Sequence, residues 1–329
     1  GTWIFAGPYQ YDYAAGGVWS TIYGTSLIIH RTGKAIMKGK ADSMIVMTGY
    51  GDDPRDIATL GPGAHGLWGG LVISGNAPYS NINQNINMEG IASYHNDTLK
   101  KFGGTNWEDS SGVFQYISIR HGGCGNASAS EINGLTLYGV GSKTVISNIE
   151  IFSNYDDGIE IFGGAANLKY FVVSYCDDDQ FDIDHGWKGK AQFIFCNQLG
   201  WMGNRGCEMD GYKSRQDTIT GVGPTNPIIA NMTVLGCGKA TANIGDNHDY
   251  GNDHLLTLSD SLMGTYRNIL IGDGPKLVFR FYKEGGFPSK PLGPGGLDFQ
   301  GVLAFHMGGG QTWGNLIVSD LNNGKAYPD

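Results

Sequence analysis

The chain has 329 residues and a formal net charge of −9, and charged side chains make up only 16% of it. Glycine accounts for 54 residues, well above the usual share of about 7%, but the absence of a Gly-X-Y period excludes collagen. The negative charge argues against nucleic acid as a partner, since that needs a basic face, and no apolar run approaches the ~20 residues of a membrane-spanning helix.

The start of the chain differs in composition from the rest. Residues 1–25 are predicted to be an irregular, aromatic-rich start that contains Tyr9, Tyr11, Tyr13, Trp19 and Tyr23. No linker rich in Pro, Ser or charge interrupts the remainder of the chain, so we predict one domain over residues 1–329, with stacked coils over 26–320. Residues 1–7 and 313–319 both have strand-like sequences, and we expect a strand at each place.

Short strands with one buried face recur along the middle of the chain. Three segments that begin at Asp156, Asp178 and Asn204 carry apolar residues at their fourth and sixth places and an acid at the fifth. Weaker matches cover residues 133–139 and 256–258. Alternation of this kind predicts a strand, and its return every 22 to 26 residues predicts a solenoid whose coils stack.

A second type of strand precedes each of these segments. Its members are predicted at residues 116–119, 148–151, 170–173, 231–234 and 268–271. Gly, Asn, Asp and Ser between the strands allow sharp corners. Two or three short strands per coil predict an all-β parallel β-helix of about ten coils, stacked about 4.8 Å apart. The residues expected to point into its core are Ile159, Ile161, Phe181, Ile183, Cys207 and Met209.

Several motifs resemble one family of bacterial proteins. They are LWGGLVISGNAP at 67–78, EINGLTL at 131–137, GVG at 139–141, FGG at 162–164 and CDDDQFD at 176–182. Together they resemble secreted right-handed parallel β-helix surface proteins of outer-membrane bacteria, many of which are lipoproteins or carry a C-terminal sorting domain. The resemblance implies a right-handed helix and an extracellular or outer cell surface location. It implies no particular reaction.

Acids line the predicted outer surface of the coils. Glu160, Asp182 and Glu208 should point outward from successive strands, and Asp184 and Asp210 follow two places on. Asp156, Asp157, Asp178 and Asp179 crowd the preceding corners. Oxygen ligands without a cluster of His or Cys suit calcium better than zinc. We therefore predict a structural Ca²⁺ site; the alternative is a solvated acidic face. The predicted ligands are Glu160, Asp178, Asp179, Asp182, Asp184, Glu208 and Asp210.

Two functional interpretations are consistent with this arrangement. The first is a non-catalytic extracellular surface protein for scaffolding, self-assembly or adhesion, whose partners are other copies of itself or a surface complex. The alternative is a calcium-dependent polysaccharide lyase or glycoside hydrolase, with a polysaccharide as partner and Arg205, Lys188 or Lys190 as candidate bases. A cleft lined with aromatic residues beside the acids would favour the enzyme, because fold analogy alone is a weak guide to activity.

The five cysteines contain no CxxC pair, which leaves a zinc or redox motif unsupported. Cys207 is expected in the core as a small apolar residue. Cys176, Cys196 and Cys237 each end a strand-like run, so a disulfide among them is an open expectation, since spacing alone cannot fix the pairing.

Overall fold

The chain folds into a right-handed parallel β-helix, as the sequence repeat predicts. The computed structural model describes residues 2–6, 10–13, 19–23, 25–56, 58–81, 87–91, 101–124, 131–198, 203–212, 215–238, 253–281, 292–310 and 312–319. The side chains of residues 10–13 and 19–23 lie outside this description, so the aromatic cluster predicted at the start of the chain falls outside it as well.

The described elements are mostly short strands. In chain order they are β1 (Thr2–Ala6), β2 (Gln10–Tyr13), β3 (Trp19–Tyr23), β4 (Ser26–Ile29), β5 (Ala35–Lys38), β6 (Ile45–Gly49), β7 (Gly70–Ser74), β8 (Gly112–Arg120), β9 (Leu135–Tyr138), β10 (Val145–Phe152), β11 (Ile159–Phe162), β12 (Asn167–Ser174), β13 (Phe181–Asp184), β14 (Lys190–Asn197), β15 (Cys207–Asp210), a 3₁₀ helix (Arg215–Thr220), β16 (Ile228–Leu235), β17 (His254–Ser259), β18 (Gly264–Gly272), β19 (Leu277–Phe281), β20 (Leu297–Phe305), α1 (Trp313–Leu316) and β21 (Ile317–Ser319).

Two parallel sheets form the walls of the helix. The long-strand sheet has the order β1-β6-β8-β10-β12-β14-β16-β18-β20, and β5 also pairs with β8. The short-strand sheet has the order β21-β19-β17-β15-β13-β11-β9-β7-β4. Each coil contributes one strand to each sheet through most of the molecule, so every strand pairs with the coils before and after it. Sheets of ten and nine strands agree with the predicted number of coils. Strands β2 and β3 form a separate antiparallel hairpin.

The core lies between the two sheets and is filled by alternate residues of their strands. The six residues predicted to point inward, Ile159, Ile161, Phe181, Ile183, Cys207 and Met209, are all fully buried. They are in register from coil to coil, with Ile159 beside Phe181 and Phe181 beside Cys207. A one-residue shift would move this apolar set to the outer face, so the pattern specifies the register strongly.

Each long strand bends at one residue with a left-handed backbone. In β8, β10, β12, β14, β16 and β18 a residue with φ between 54° and 61° interrupts the ladder of paired residues; these residues are Tyr116, Asn148, Tyr170, Phe193, Asn231 and Asn268. We name them the bend column. The strands predicted at 116–119, 148–151, 170–173, 231–234 and 268–271 are therefore the second halves of longer strands. Of the long strands, β14 and β20 were absent from the predicted set.

The connection between β7 and β8 covers part of the outer face of the short-strand sheet. Its Tyr79 and Phe102 rings lie 4.5 Å apart, and Phe102 lies 4.7 Å from the outward ring of Tyr138. Tyr138 in turn stacks on Phe162 at 4.5 Å. These four buried aromatic residues form a second, smaller apolar cluster outside the helix, which leaves the later coils of this face to polar residues.

Two expectations need correction. None of the five cysteines, all of which lie in the described part of the chain, forms a disulfide. Of the strand expected over residues 313–319, the first half is the one-turn helix α1 and only Ile317–Ser319 is extended. No helix among the described residues is long and apolar enough to cross a membrane.

Candidate functional site

An acidic row runs along the outer face of the short-strand sheet. Glu160 in β11 is in register with Asp182 in β13, and Asp182 with Glu208 in β15. All three are partly buried, while the residues on either side of each in its strand point into the core. The outward orientation expected for these acids is therefore correct. The next coils in the row carry Thr136 on one side and Thr257 on the other.

The corners before these strands add further acids, and these bind the backbone of the next coil. An oxygen of Asp157 accepts a hydrogen bond from the backbone N–H of Asp179 at 2.9 Å. Asp179 does the same for the N–H of Arg205, at 2.6 Å. Because adjacent corners lie one coil apart, each carboxyl group links its own coil to the following one. This bonding holds the corner acids close to the acidic row.

Five carboxylates come together in two overlapping groups. Ligand atoms of Asp156, Asp157 and Asp178 all lie within 4.8 Å of one another, and the same is true of Asp157, Glu160 and Asp182. We name these five residues the acid cluster. Asp157 belongs to both groups. This spacing would let the carboxylates of each group bind one cation.

Three of the seven predicted metal ligands lie in the acid cluster, namely Glu160, Asp178 and Asp182. Asp179 lies beside it, and its pKa is raised by burial and by the nearby carboxyls of Asp178 and Glu208. Asp184 and Asp210 are turned to other partners. An oxygen of Asp184 lies 2.8 Å from Nδ1 of His185, and Asp210 accepts a hydrogen bond from the hydroxyl of Ser259.

Asp156 and Asp157 were seen in the sequence as corner residues but not as ligands. The signal that pointed to them is the Asp-Asp pair that recurs at 156–157 and 178–179. Their distance from Glu160 depends on the turn between the corner and the strand, which the alternation pattern does not describe.

Burial makes ionisation of these acids costly. It raises the pKa of Asp157 well above its ordinary value, and the nearby carboxyls of Asp156 and Asp182 raise it further. The pKa of Asp182 is shifted in the same direction by burial and then by Glu160 and Glu208. The pKa values of Asp156 and Asp179 are also raised, with burial again the main cause. Protons or a cation must therefore compensate part of this charge at neutral pH.

Some buried oxygen atoms at the cluster have no hydrogen-bond donor among the described residues. Oδ1 of Asp182 and Oδ1 of Asn133 are examples. The amide nitrogen of Asn133 donates to Oε2 of Glu160 at 2.6 Å, which places this side chain against the cluster. A buried polar atom without a partner is costly, and carboxylate and amide oxygens are the ligands that Ca²⁺ takes in proteins. The donor set therefore fits calcium.

The three residues considered as catalytic bases, Arg205, Lys188 and Lys190, are not grouped together as the acids are. Arg205 is buried, and its Nε donates to Oγ1 of Thr257 at 3.2 Å. Lys188 donates to the backbone oxygen of Pro224, and burial lowers its pKa to about 8. Lys190 is exposed at the start of β14. Of these three, only Arg205 lies near the acids, where its charge lowers the pKa of Asp179 against the effect of burial.

A groove lined with aromatic residues exists, but on the other sheet. It has a volume of about 580 Å³ and follows the bend column of the long-strand sheet. Tyr116, Tyr170, Phe193 and Phe195 line it, and no member of the acid cluster does. The acids and the aromatic groove are therefore separate features of the molecule.

Comparison with known proteins places the chain in a family. Residues 18–263 match a family model described as a pectate-lyase-like β-helix domain, and because the match covers most of the chain, the protein belongs to this family. No curated protein matches the chain significantly, and no solved structure does.

Proposed function

We propose that this pectate-lyase-like β-helix protein is a non-catalytic extracellular surface protein, for scaffolding, self-assembly or adhesion, and that the acid cluster holds a structural calcium ion. Membership of the family fits either a polysaccharide-acting enzyme or a structural surface protein. The observation that carries the proposal is the position of Asp157, which stands in both groups of carboxylates while it also binds the backbone of the next coil.

Calcium is the ion that this environment favours. The cluster offers only oxygen ligands, from five carboxylates and the adjacent amide of Asn133, and Ca²⁺ accepts six to eight oxygens in flexible geometry. Zinc prefers His and Cys ligands. A bound cation would also offset the burial and the carboxylate repulsion that together raise the pKa values of Asp157 and Asp182. An ion here would join the coils of β11 and β13.

A structural role fits the surroundings of the cluster better than a catalytic one. Asp156 and Asp157 are almost completely buried, whereas a reacting polysaccharide needs access to the acids. Arg205 is buried and already bound to Thr257, and Lys188 is bound to the backbone of Pro224. The aromatic groove that would favour an enzyme follows the opposite sheet.

Thermal unfolding with and without calcium tests the proposal. We expect added Ca²⁺ to raise the melting temperature of the wild type, because binding to the folded state alone contributes about 2.7 kcal/mol at a hundredfold excess over the dissociation constant. Asp157→Asn should abolish this response. Asp184→Asn is the matched control: it changes a buried acid that binds His185, and it should keep the calcium response even if it lowers stability.

Two results would count against this function. A wild-type melting temperature that is indifferent to both calcium and chelator would mean that the acids bind no structural ion. If Asp157→Asn melts like the wild type but no longer releases unsaturated sugars from polygalacturonate, the lyase alternative replaces the proposal.

Self-assembly would use an end of the solenoid. Strand β1 lies at one end of the long-strand sheet, and its side chains Trp3, Ile4 and Phe5 are exposed. Exposed apolar strands at a sheet edge are templates for pairing with another chain. We expect light scattering to detect oligomers of the wild type, and Ile4→Lys to shift them toward monomer. A monomeric wild type at all concentrations would refute this mode of assembly.

A further inference from the structure

One end of the solenoid exposes residues that face the core. Strand β1 ends the long-strand sheet there, and β4 ends the short-strand sheet. Ile4 is in register with the core residue Met47, and Leu27 is in register with the core residue Leu71. Paired residues share a face of the sheet, so both side chains point inward, yet each is 37% exposed. The core at this end is therefore open to another apolar surface.

The other end of the solenoid also exposes its core. Strands β20 and β21 end the two sheets there, and an apolar cavity of about 260 Å³ lies among the last strands. All of its lining residues are apolar, among them Phe279, Phe299, Val302 and Ile317. A site for a small ligand normally includes a few polar groups that orient it. Because this lining has none, it favours apolar side chains as the occupant.

The two ends of the long-strand sheet match residue for residue. Near the end of β20, Ala304 faces the core with its partner Ile271, while Leu303 points outward and is 62% exposed. Strand β1 corresponds to the same half of a long strand, because its partner β6 pairs with β8 after the bend. In β1 Ile4 faces the core, and the outward Trp3 is 41% exposed. A second copy on β20 would therefore set Trp3 beside Leu303 and Ile4 beside Ala304.

The same placement continues the short-strand sheet. Ile317 of β21 is in register with the inward Phe279, and Leu27 has the corresponding inward place in β4. A single placement of the second copy thus sets β1 on β20 and β4 on β21, and both new pairs are parallel like the others in these sheets. Ile4 and Leu27 would then cover the apolar cavity. A shift by one residue would turn these side chains outward, so the match specifies one register.

The charged groups near the two ends are paired within the chain. The guanidinium of Arg55 lies 5.4 Å from the centre of the Trp3 ring, and its Nη2 is 2.7 Å from Oδ2 of Asp53. At the other end Nη2 of Arg267 lies 2.5 Å from Oδ2 of Asp298. An apolar contact is therefore favoured here over one made by ion pairs. Two copies with a charge of −9 each repel at long range, so salt should promote the contact.

We infer that copies of this protein stack head to tail, with β1 and β4 of one copy on β20 and β21 of the next. The inference rests on the self-assembly proposed above and specifies the second surface that it uses. The two surfaces differ, so the contact is heterologous. Because stacking follows the axis of the solenoid, repetition of the contact builds an open filament and not a closed ring.

Cysteine cross-linking between two variants tests this arrangement. One variant carries Trp3→Cys and the other carries Leu303→Cys, and the mixture is treated with oxidised glutathione. The two cysteines would lie on adjacent strands, at a separation that a disulfide can span. We expect a cross-linked dimer of the two variants on a non-reducing denaturing gel. Neither variant alone should cross-link more than the wild type, which controls for the five native cysteines.

Val172→Cys is the matched control for Leu303→Cys. Val172 points outward in register with Leu303 through the intervening strands and is 43% exposed, but β12 lies in the middle of the sheet. A mixture of Val172→Cys with Trp3→Cys should therefore give no cross-linked dimer.

Variants with one blocked end provide an independent measurement. Leu303→Lys places a charge on an exposed edge strand, which should weaken association by about tenfold or more, and Ile4→Lys blocks the opposite end. Each variant alone should be mostly monomeric in light scattering. An equal mixture should form dimers and no longer oligomers, because each variant keeps the end that the other has lost.

The outcomes distinguish this inference from self-assembly in general. Cross-linking of Trp3→Cys to itself, or assembly of Leu303→Lys like that of the wild type, would mean that the ends meet in another arrangement. Either result overturns the inference and leaves self-assembly through β1 in place. No cross-link in the mixture, under conditions in which the wild type is oligomeric, also overturns it. A wild type that is monomeric at all concentrations refutes both the proposed self-assembly and this inference.

Discussion

Nε2 of His254 lies 2.9 Å from Oγ1 of Thr257, the residue next to Glu208 in the outer row of the short-strand sheet. Nδ1 of the same ring lies 2.8 Å from Asp253, so the carboxylate favours the proton on that nitrogen. The hydroxyl of Thr257 then donates to Nε2 and accepts from Nε of Arg205. This arrangement requires a neutral imidazole.

We predict from this pair that acid destabilises the fold through His254. Burial lowers its pKa from 6.5 to about 4, so between these values the unfolded chain binds a proton that the folded state does not. The free energy of unfolding therefore falls as the pH drops through this range, by about 3 kcal/mol at most. Urea unfolding of the wild type and His254→Gln isolates the effect, because the variant should lose less stability over the same range. If the wild type and His254→Gln lose the same free energy of unfolding over this pH range, His254 is not the group responsible.

When calcium is removed, the acid cluster should change the free energy of unfolding with pH in the direction opposite to that predicted for His254. In the folded state the pKa of Asp157 is raised above its ordinary value of 3.8. At a pH just above 3.8, Asp157 therefore keeps its proton in the folded state but has lost it in the unfolded chain. The free energy of unfolding should then decrease as the pH rises above that value. In chelator, urea unfolding from about pH 4 to about pH 8 should show a weaker decrease for Asp157→Asn than for the wild type.

Calcium should reverse this trend, because it binds the ionised carboxylates and competes with protons. The stabilisation by calcium is therefore expected to grow with pH in the wild type. An equal calcium effect at both ends of the pH range would contradict a site made of these acids.

A glycine at the corner of the β11 coil provides a test of packing. A Cβ atom on Gly158 would lie 2.2 Å from Cγ1 of Val173 and 2.8 Å from the backbone oxygen of Gln180. We expect Gly158→Ala to cost about 1–3 kcal/mol of unfolding free energy, the usual range for overpacking. Gly61→Ala is the control, since nothing lies within 4 Å of its Cβ position, and it should change stability by about 0.5 kcal/mol or less. If thermal unfolding shows the same change for both variants, the corner at Gly158 can shift to make room for the added methyl group.

The alternation of residues predicted the short strands β9, β11, β13, β15 and β17, but only the second half of the long strands β8, β10, β12, β16 and β18. In β10 the inward residues Ile146 and Ile149 are three places apart, because Asn148 between them takes a left-handed backbone. The alternation of inward and outward residues breaks at that bend. The sequence pattern therefore indicates a strand only for the residues that follow the bend. Neither asparagine nor tyrosine at this position indicates a bend by itself.

The candidate site was predictable to the extent that it depends on register. Stacking of equivalent strands placed Glu160 beside Asp182, as the repeat indicated. The partners of Asp184 and Asp210 were not predictable, because His185 and Ser259 reach them through local side-chain geometry. The apolar cover formed by Tyr79 and Phe102 comes from a long connection without any repeat, and its position depends on tertiary packing alone.

Strand β10 pairs in register with β12, and β11 pairs in register with β13. A whole coil is therefore the segment that can be added to or removed from the solenoid without disturbing this register. Val145 pairs with Asn167 and Ile159 with Phe181, so both sheets advance by the same number of residues over this coil. Excision of that whole segment would join equivalent backbone positions and shorten the rod by about 4.8 Å, whereas loss of a single strand residue would turn the inner face outward. Viable length variants should therefore differ by entire turns of the solenoid.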